Sequence, residues 1–173
     1  MTQNELASVT PPLVRPALAG RVGFLFVALI GCAVDLWSKT AIFARLGDGG
    51  TGMNVLPVIP GWLSFQSAMN KGGAWSLLQG YPVFFLVVRS IAIVVVLYFF
   101  TKADPNRFLF LWGLGFVLAG AAGNLWDQVV HDAVRDFIKL DFIHFPIFNL
   151  ADTWINVGAG LIVLQWLLES RKK

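Results

Sequence analysis

Four stretches of this chain, 22–40, 81–100, 108–126 and 148–168, are each long and apolar enough to cross a lipid bilayer. A hydrocarbon core of about 30 Å takes about 20 mainly apolar helical residues. No water is present there to satisfy backbone N–H and C=O groups, so such segments must be helical. Composition agrees: 57% of the residues are hydrophobic, 13% are charged, and the mean hydropathy is +0.69. Soluble domains are more polar than this. No linker, low-complexity tract or internal repeat divides the 173 residues, so one membrane-embedded domain over 1–173 is expected. Residues 1–21 are polar and rich in Pro and Ala, and read as a mobile tail.

The link "TKADPNR" (101–107) is short, so the second and third spans should be antiparallel neighbours. The other two connections are longer. Lys and Arg flanking the spans set orientation. Arg15, Arg21, Lys102, Arg107, Arg171, Lys172 and Lys173 fall on the side of the termini. Lys39, Arg45, Lys71, Arg135 and Lys139 fall on the other. This bias predicts cytoplasmic termini and two extracytoplasmic connections. Within the first connection, "NVLPVI" (54–59) and "WLSFQS" (62–67) are strand-like runs around the Pro60–Gly61 turn signal. The expected fold class is therefore all-α integral membrane, with four transmembrane helices and a small extracytoplasmic β-sheet. "LIGC" (29–32) looks like a lipid-attachment processing site, but the helix continues through "AVDLWSK", so the first span is read as uncleaved.

Placed on this topology, the costly polar residues fall on one side of the membrane. Asp35 and Lys39 are four apart on one face near the outer end of the first span. Asn70 precedes the second span, while Asn124 and Asp127 close the third. Asp136 lies in the outer loop beyond, and Asn149 and Asp152 open the fourth span. Ionisable groups inside a membrane normally face a bundle interior and mark a site. Each also has a plainer reading. Asp35 and Lys39 form a structural ion pair or position a substrate. Asn124 and Asp127 tie helix ends as scaffold. Asn149 and Asp152 are an N-cap and the acidic third residue of a capping box. Arg89 either pairs with a carboxylate or snorkels to a headgroup. Asp132 and Asp141 are expected to face solvent.

Two carboxylates in a cleft of low dielectric share a proton. The ionised member can take a proton from water while the protonated one assists the reacting carbonyl, as water-mediated amide hydrolysis requires. The competing chemistries lack parts. Cys32 is a lone cysteine in mid-span, and His131 and His144 are isolated, so a disulfide, a metal centre or a nucleophilic triad is not expected. A net charge of +3 with scattered cations argues against nucleic acid as a partner.

Five segments now identify a resemblance: "DLWSK" (35–39), "NKGGAWS" (70–76), "GAAGNLWD" (120–127), "RDFI" (135–138) and "FNLAD" (148–152). In this order and spacing the chain resembles the bacterial lipoprotein signal peptidases, integral-membrane aspartic peptidases that cleave prolipoproteins. The resemblance implies Asp136 and Asp152 as the catalytic pair. It implies Asp35, Asn70, Asn124, Asp127, Asn149 and Ala151 as residues lining or supporting the site, and Lys39 as a recurrent basic residue of the first motif. It further implies an extracytoplasmic loop over the active site, no metal or other cofactor, and a location in the bacterial inner membrane with the site at the outer leaflet. The implied partners are membrane lipids and precursors whose cysteine already carries diacylglycerol, cut just before that cysteine.

Three positions depart from the family pattern. Gln128 stands where an arginine usually follows the "GNxxD" aspartate, Arg135 where a valine usually precedes Asp136, and Gly73 where alanine is usual. Arg135 is read as compensating in part for the missing arginine, and would favour ionised Asp136 if its guanidinium turned inward. The rival readings are a catalytically impaired homologue that binds lipoprotein precursors, a peptidase for non-lipidated substrates, and a small proton-coupled transporter, which would need acids at several depths.

Overall fold

The computed structural model describes residues 15–48, 54–71 and 82–171. In chain order it contains α1 (Arg15–Leu46), β1 (Val55–Ile59), β2 (Leu63–Asn70), α2 (Pro82–Lys102), α3 (Phe108–His131), β3 (Val134–Leu140) and α4 (Leu150–Ser170). All four helices are long and apolar enough to span a membrane. The third is the hub, packed against the other three. Half of its most apolar window is buried, 50% against 6% for α2. Sequence explains the contrast. The outward-facing surface of α2 is Val, Phe and Ile, suited to lipid, whereas α3 carries the small residues through which helices approach closely in membranes. A methyl group on Gly120 would strike the Ala151 carbonyl of α4, and one on Gly123 would strike the Asp35 carboxylate of α1. The "GAAGN" segment thus lets two helices close on the residues that follow it.

Three expectations need correction. Residues 15–21 are the first turns of α1, not tail; Pro16 sits where a missing N–H breaks no helical bond, and Ala and Leu follow. The rest of the proposed tail, 1–14, lies outside the described residues, as do Gly73 and most of "NKGGAWS". Both α1 and α3 run past the apolar windows, to Leu46 and His131. A hydropathy window ends near the bilayer edge, but helical hydrogen bonding continues beyond it until a terminator arrives. For α3 that is Asp132, in the left-handed region at φ 54°.

The third correction bears on the site. "RDFI" is not loop: it belongs to β3, which completes an antiparallel sheet of order β1-β2-β3. The hairpin turns at Gly61, φ 78°, as the turn signal implied. In the second pairing Ala68 lies opposite Asp136 and Asn70 opposite Val134. Phe148 then bridges to Ile138, tying the start of α4 to β3. At the opposite end of the bundle the core is apolar. Phe24, Val96, Leu111 and Leu114 form one buried cluster, and Phe24 stacks on Phe100 with ring centroids 4.1 Å apart.

Candidate active site

Asn149 is the N-cap of α4. Its side chain accepts the Asp152 N–H at 3.0 Å, and the Asp152 carboxylate accepts the Asn149 N–H at 3.4 Å, a reciprocal capping box. The plain capping reading is therefore correct, yet it does not exhaust either side chain. The Asn149 amide nitrogen donates to Asp136 Oδ1 at 2.6 Å and to Asn124 Oδ1 at 3.1 Å. Asn124 in turn donates to Asp152 Oδ1 at 2.9 Å. Two asparagine amides thus connect the carboxylates of β3 and α4. On the other side of Asp136, Asn70 donates to Oδ2 at 2.9 Å, delivered by the β2–β3 register.

Behind this layer lies a fully buried set of charges. Lys39 donates to Asp35 at 2.7 Å and to Asn124 Oδ1 at 2.9 Å, with Asp127 at 3.6 Å. Asp35 also accepts the Ala151 N–H at 2.8 Å, which fixes the first turn of α4 against α1. Asp127 receives the Arg135 guanidinium at 2.8 Å and the Arg135 backbone N–H at 2.9 Å. Lys39 settles one open choice: with its amine on Asn124, the amide of that asparagine must present its nitrogen to Asp152. Among the described residues, no buried side-chain nitrogen or oxygen lacks a hydrogen-bond partner. Charges at such depth are tolerable only when paired and fully hydrogen-bonded.

All ten residues singled out in the sequence therefore meet at one end of the bundle. Two expectations about neighbours change. Arg135 does not turn toward Asp136; successive strand residues face opposite sides, and its guanidinium goes to Asp127. Among the described residues, Arg89 forms no ion pair with a carboxylate. It donates to the Gln128 side-chain oxygen at 3.0 Å and lies over the Phe85 ring at 5.5 Å. A cation from α2 thus reaches the position directly after Asp127. Nothing local in the sequence pairs positions 39 residues apart; only the α2–α3 contact brings them together.

A cavity of about 600 Å³ opens beside the two aspartates. Arg89, Asn124, Thr153 and Asn156 contribute from the helices, and Phe145, Pro146 and Ile147 from the segment before α4. Asp136 is nearly fully buried, with 2% exposure, whereas Asp152 is half-buried. Burial, and then the nearby Asp152, push the Asp136 carboxyl up to about 7, against the hydrogen bonds from Asn70 and Asn149 and the charge of Lys39. A carboxyl that holds its proton near neutrality beside a second carboxylate is the equipment of acid–base hydrolysis.

Comparison with known proteins gives a consistent answer. Residues 27–168 match the family model described as signal peptidase (SPase) II. The lipoprotein signal peptidase of Enterococcus faecalis is 39% identical over 87% of this chain and 90% of its own. That of Listeria welshimeri is 39% identical over 86% of this chain and 96% of its own. A bacterial membrane enzyme solved by the in meso method at 2.3 Å resolution superposes with a TM-score of 0.79 at 30% identity, covering 87% of this chain and 90% of that one. The chain belongs to the signal peptidase II family, the aspartic-type lipoprotein signal peptidases.

Proposed function

We propose that Asp136 and Asp152 are the catalytic pair of this peptidase, with the shared proton resting on Asp136. The observation that carries this is the asparagine-bridged pair opening on a cavity, with burial and the neighbouring carboxylate pushing the more deeply buried member up to about 7. Asp152, in the first turn of α4, meets the positive end of the helix dipole and carries the negative charge. It removes a proton from water as the oxygen attacks the scissile carbonyl. Asp136 donates its proton to the carbonyl oxygen as the tetrahedral species forms and takes one back as the carbonyl re-forms, while the proton held by Asp152 passes to the departing amine. Water supplies the hydroxyl of the new acid and a hydrogen of the new amine. Asn124 and Asn149 hold the carboxylates in register, while Lys39, Asp35, Asp127 and Arg135 position them from behind.

The substrate is a prolipoprotein whose cysteine carries diacylglycerol, cut before that cysteine. The supporting geometry is the dyad cavity itself, lined by Arg89 of α2, Asn124 of α3 and Asp152, Thr153 and Asn156 of α4, three membrane-length helices. Acyl chains can stay in the bilayer while the peptide reaches the carboxylates laterally. The excess of Lys and Arg around the termini supports cytoplasmic ends and a site at the outer leaflet of the inner membrane. Arg135 braces Asp127 where the usual arginine is absent, so Arg135→Val should lose more activity than a change at a surface lysine.

The test is cleavage by purified protein in detergent of one precursor with and without the diacylglyceryl group. Cleavage before the cysteine of the lipidated form alone is expected. Equal cleavage of both forms would replace this reading with a general peptidase.

A further inference from the structure

Asp136 faces two cavities. The second, about 820 Å³, is bordered by the ends of β2 and β3 and by residues 141–147, and among the described residues its lining includes none from the four helices. The two share Asn70, Asp136, Leu140, Phe145, Pro146 and Ile147, so a chain threaded past Asp136 can occupy both. Their chemistry differs. The helix-walled cavity is the route for lipid and for the membrane-embedded leader. The outer one lies wholly outside the spans and carries Lys71, Lys139 and His144 on its lining. Its acids are Asp141, which accepts from Ser64 at 3.0 Å and lies 3.5 Å from Lys139, and Asp136 itself. Residues 72–81, which follow Lys71, include no charged residue.

We infer that the outer cavity is the subsite for the first residues of the mature chain, those just after the lipidated cysteine, and that it favours acidic over basic side chains there. This rests on the proposed reaction, because only a substrate crossing Asp136 leaves a peptide on the extracytoplasmic side. Depth assigns the occupant: acyl chains cannot follow into a cavity outside the hydrocarbon core, and a hydrated peptide can. Charge assigns the preference: Lys71 and Lys139 attract carboxylates and repel ammonium groups near the entrance.

The experiment uses three lipidated substrates identical except at the three positions after the cysteine, which are Asp-rich, Ser-rich or Lys-rich. The quantity read is the ratio of kcat/KM between them, for the parent, Lys71→Glu and Lys139→Gln. An acidic-to-basic ratio of about five or more is expected from the parent, the scale of one or two exposed ion pairs. It should shrink at raised ionic strength. Lys71→Glu should bring the ratio to one or below, and Lys139→Gln should lower it. A parent ratio near one, or a ratio both variants leave intact, overturns the inference while cleavage of the Ser-rich substrate leaves the peptidase reading standing. If Lys71→Glu slows all three substrates equally, and only in vesicles containing anionic lipid, the cations serve headgroups and the inference also fails.

Discussion

The two ends of α3 solve opposite problems. Around Leu111 and Leu114 the helix packs with Phe24 and Val96 in one buried apolar cluster. About two turns further on, from Gly120 to Gln128, the same helix is wrapped in Asp35, Lys39, Arg135, Asn149 and the two proposed catalytic aspartates. At the apolar end stability is spread over many weak dispersion contacts, with no single polar partner to lose. The polar end tolerates no loss, because each group there satisfies another. A chain selected for stability alone would extend the first solution along the whole bundle. On the proposed mechanism, the second is present because it holds the two aspartates in register for proton transfer.

Substitutions sharpen this contrast, beginning with the largest effect. Asp136→Asn or Asp152→Asn should each reduce cleavage by about a thousand-fold or more while the protein still folds, since amide for carboxyl keeps the shape and removes the acid–base function. Cleavage rate and unfolding midpoint in detergent separate the two. Lys39→Met should act chiefly through stability, with a smaller loss of rate through the positioning of Asn124. It leaves Asp35 and Asp127 buried with less cationic charge, a loss of about 3–5 kcal/mol for breaking a buried pair, read as a lowered unfolding midpoint. At the apolar end Leu111→Ala should cost about 2 kcal/mol, the low side of the range for such cavities, because helices in lipid gain little from the hydrophobic effect. Cleavage per folded molecule should hardly change. A larger catalytic loss there than for Lys39→Met would break the contrast.

A smaller effect concerns pH. The Asp136 carboxyl is raised from its ordinary range to about 7, so its protonated form is favoured in the folded protein. The associated stability is fully present at low pH and declines as pH rises toward 7, where the group ionises against burial and Asp152. Activity that depends on the Asp136 proton should fall over the same upper region. Asn70→Ala removes a hydrogen bond that favours the charged form, so the alkaline limb of the rate profile should move to higher pH. A limb that stays in place, or moves down, would contradict the assignment of the proton. The smallest effect is expected from Arg107→Ala. That residue joins Glu169 at 2.7 Å with side chains 35% and 40% exposed, and its loss should cost less than about 1 kcal/mol with no change in cleavage.

Much of this was legible in the chain because membranes simplify the code. Spans such as 108–126 announce themselves by length, and polar residues gathered at one end of them point to a site even though each alone has a structural reading. The motif around Asn149 and Asp152 was readable both as a capping box and as site residues, and in the structure the same Asn149 side chain that caps α4 also donates to Asp136. The strand β3 was not legible. "VRDFIKL" is buried without alternation over Val134–Phe137, and alternation is the signal by which a half-buried strand is read. The partners of Arg89 and Arg135 were also hidden. Each depends on which face of one element meets another, as Arg89 on α2 meets Gln128 on α3, and no local pattern encodes that.

The central claim is that two carboxylates act as one unit. Single-turnover cleavage of a diacylglyceryl-modified precursor should be measured for the parent, Asp136→Asn, Asp152→Asn and the double variant. The account predicts that each single change removes nearly all the rate and that the double change removes no more. Near-parental rates from either single variant, or losses that multiply in the double, would show that the two aspartates work independently and that the shared-proton mechanism is wrong.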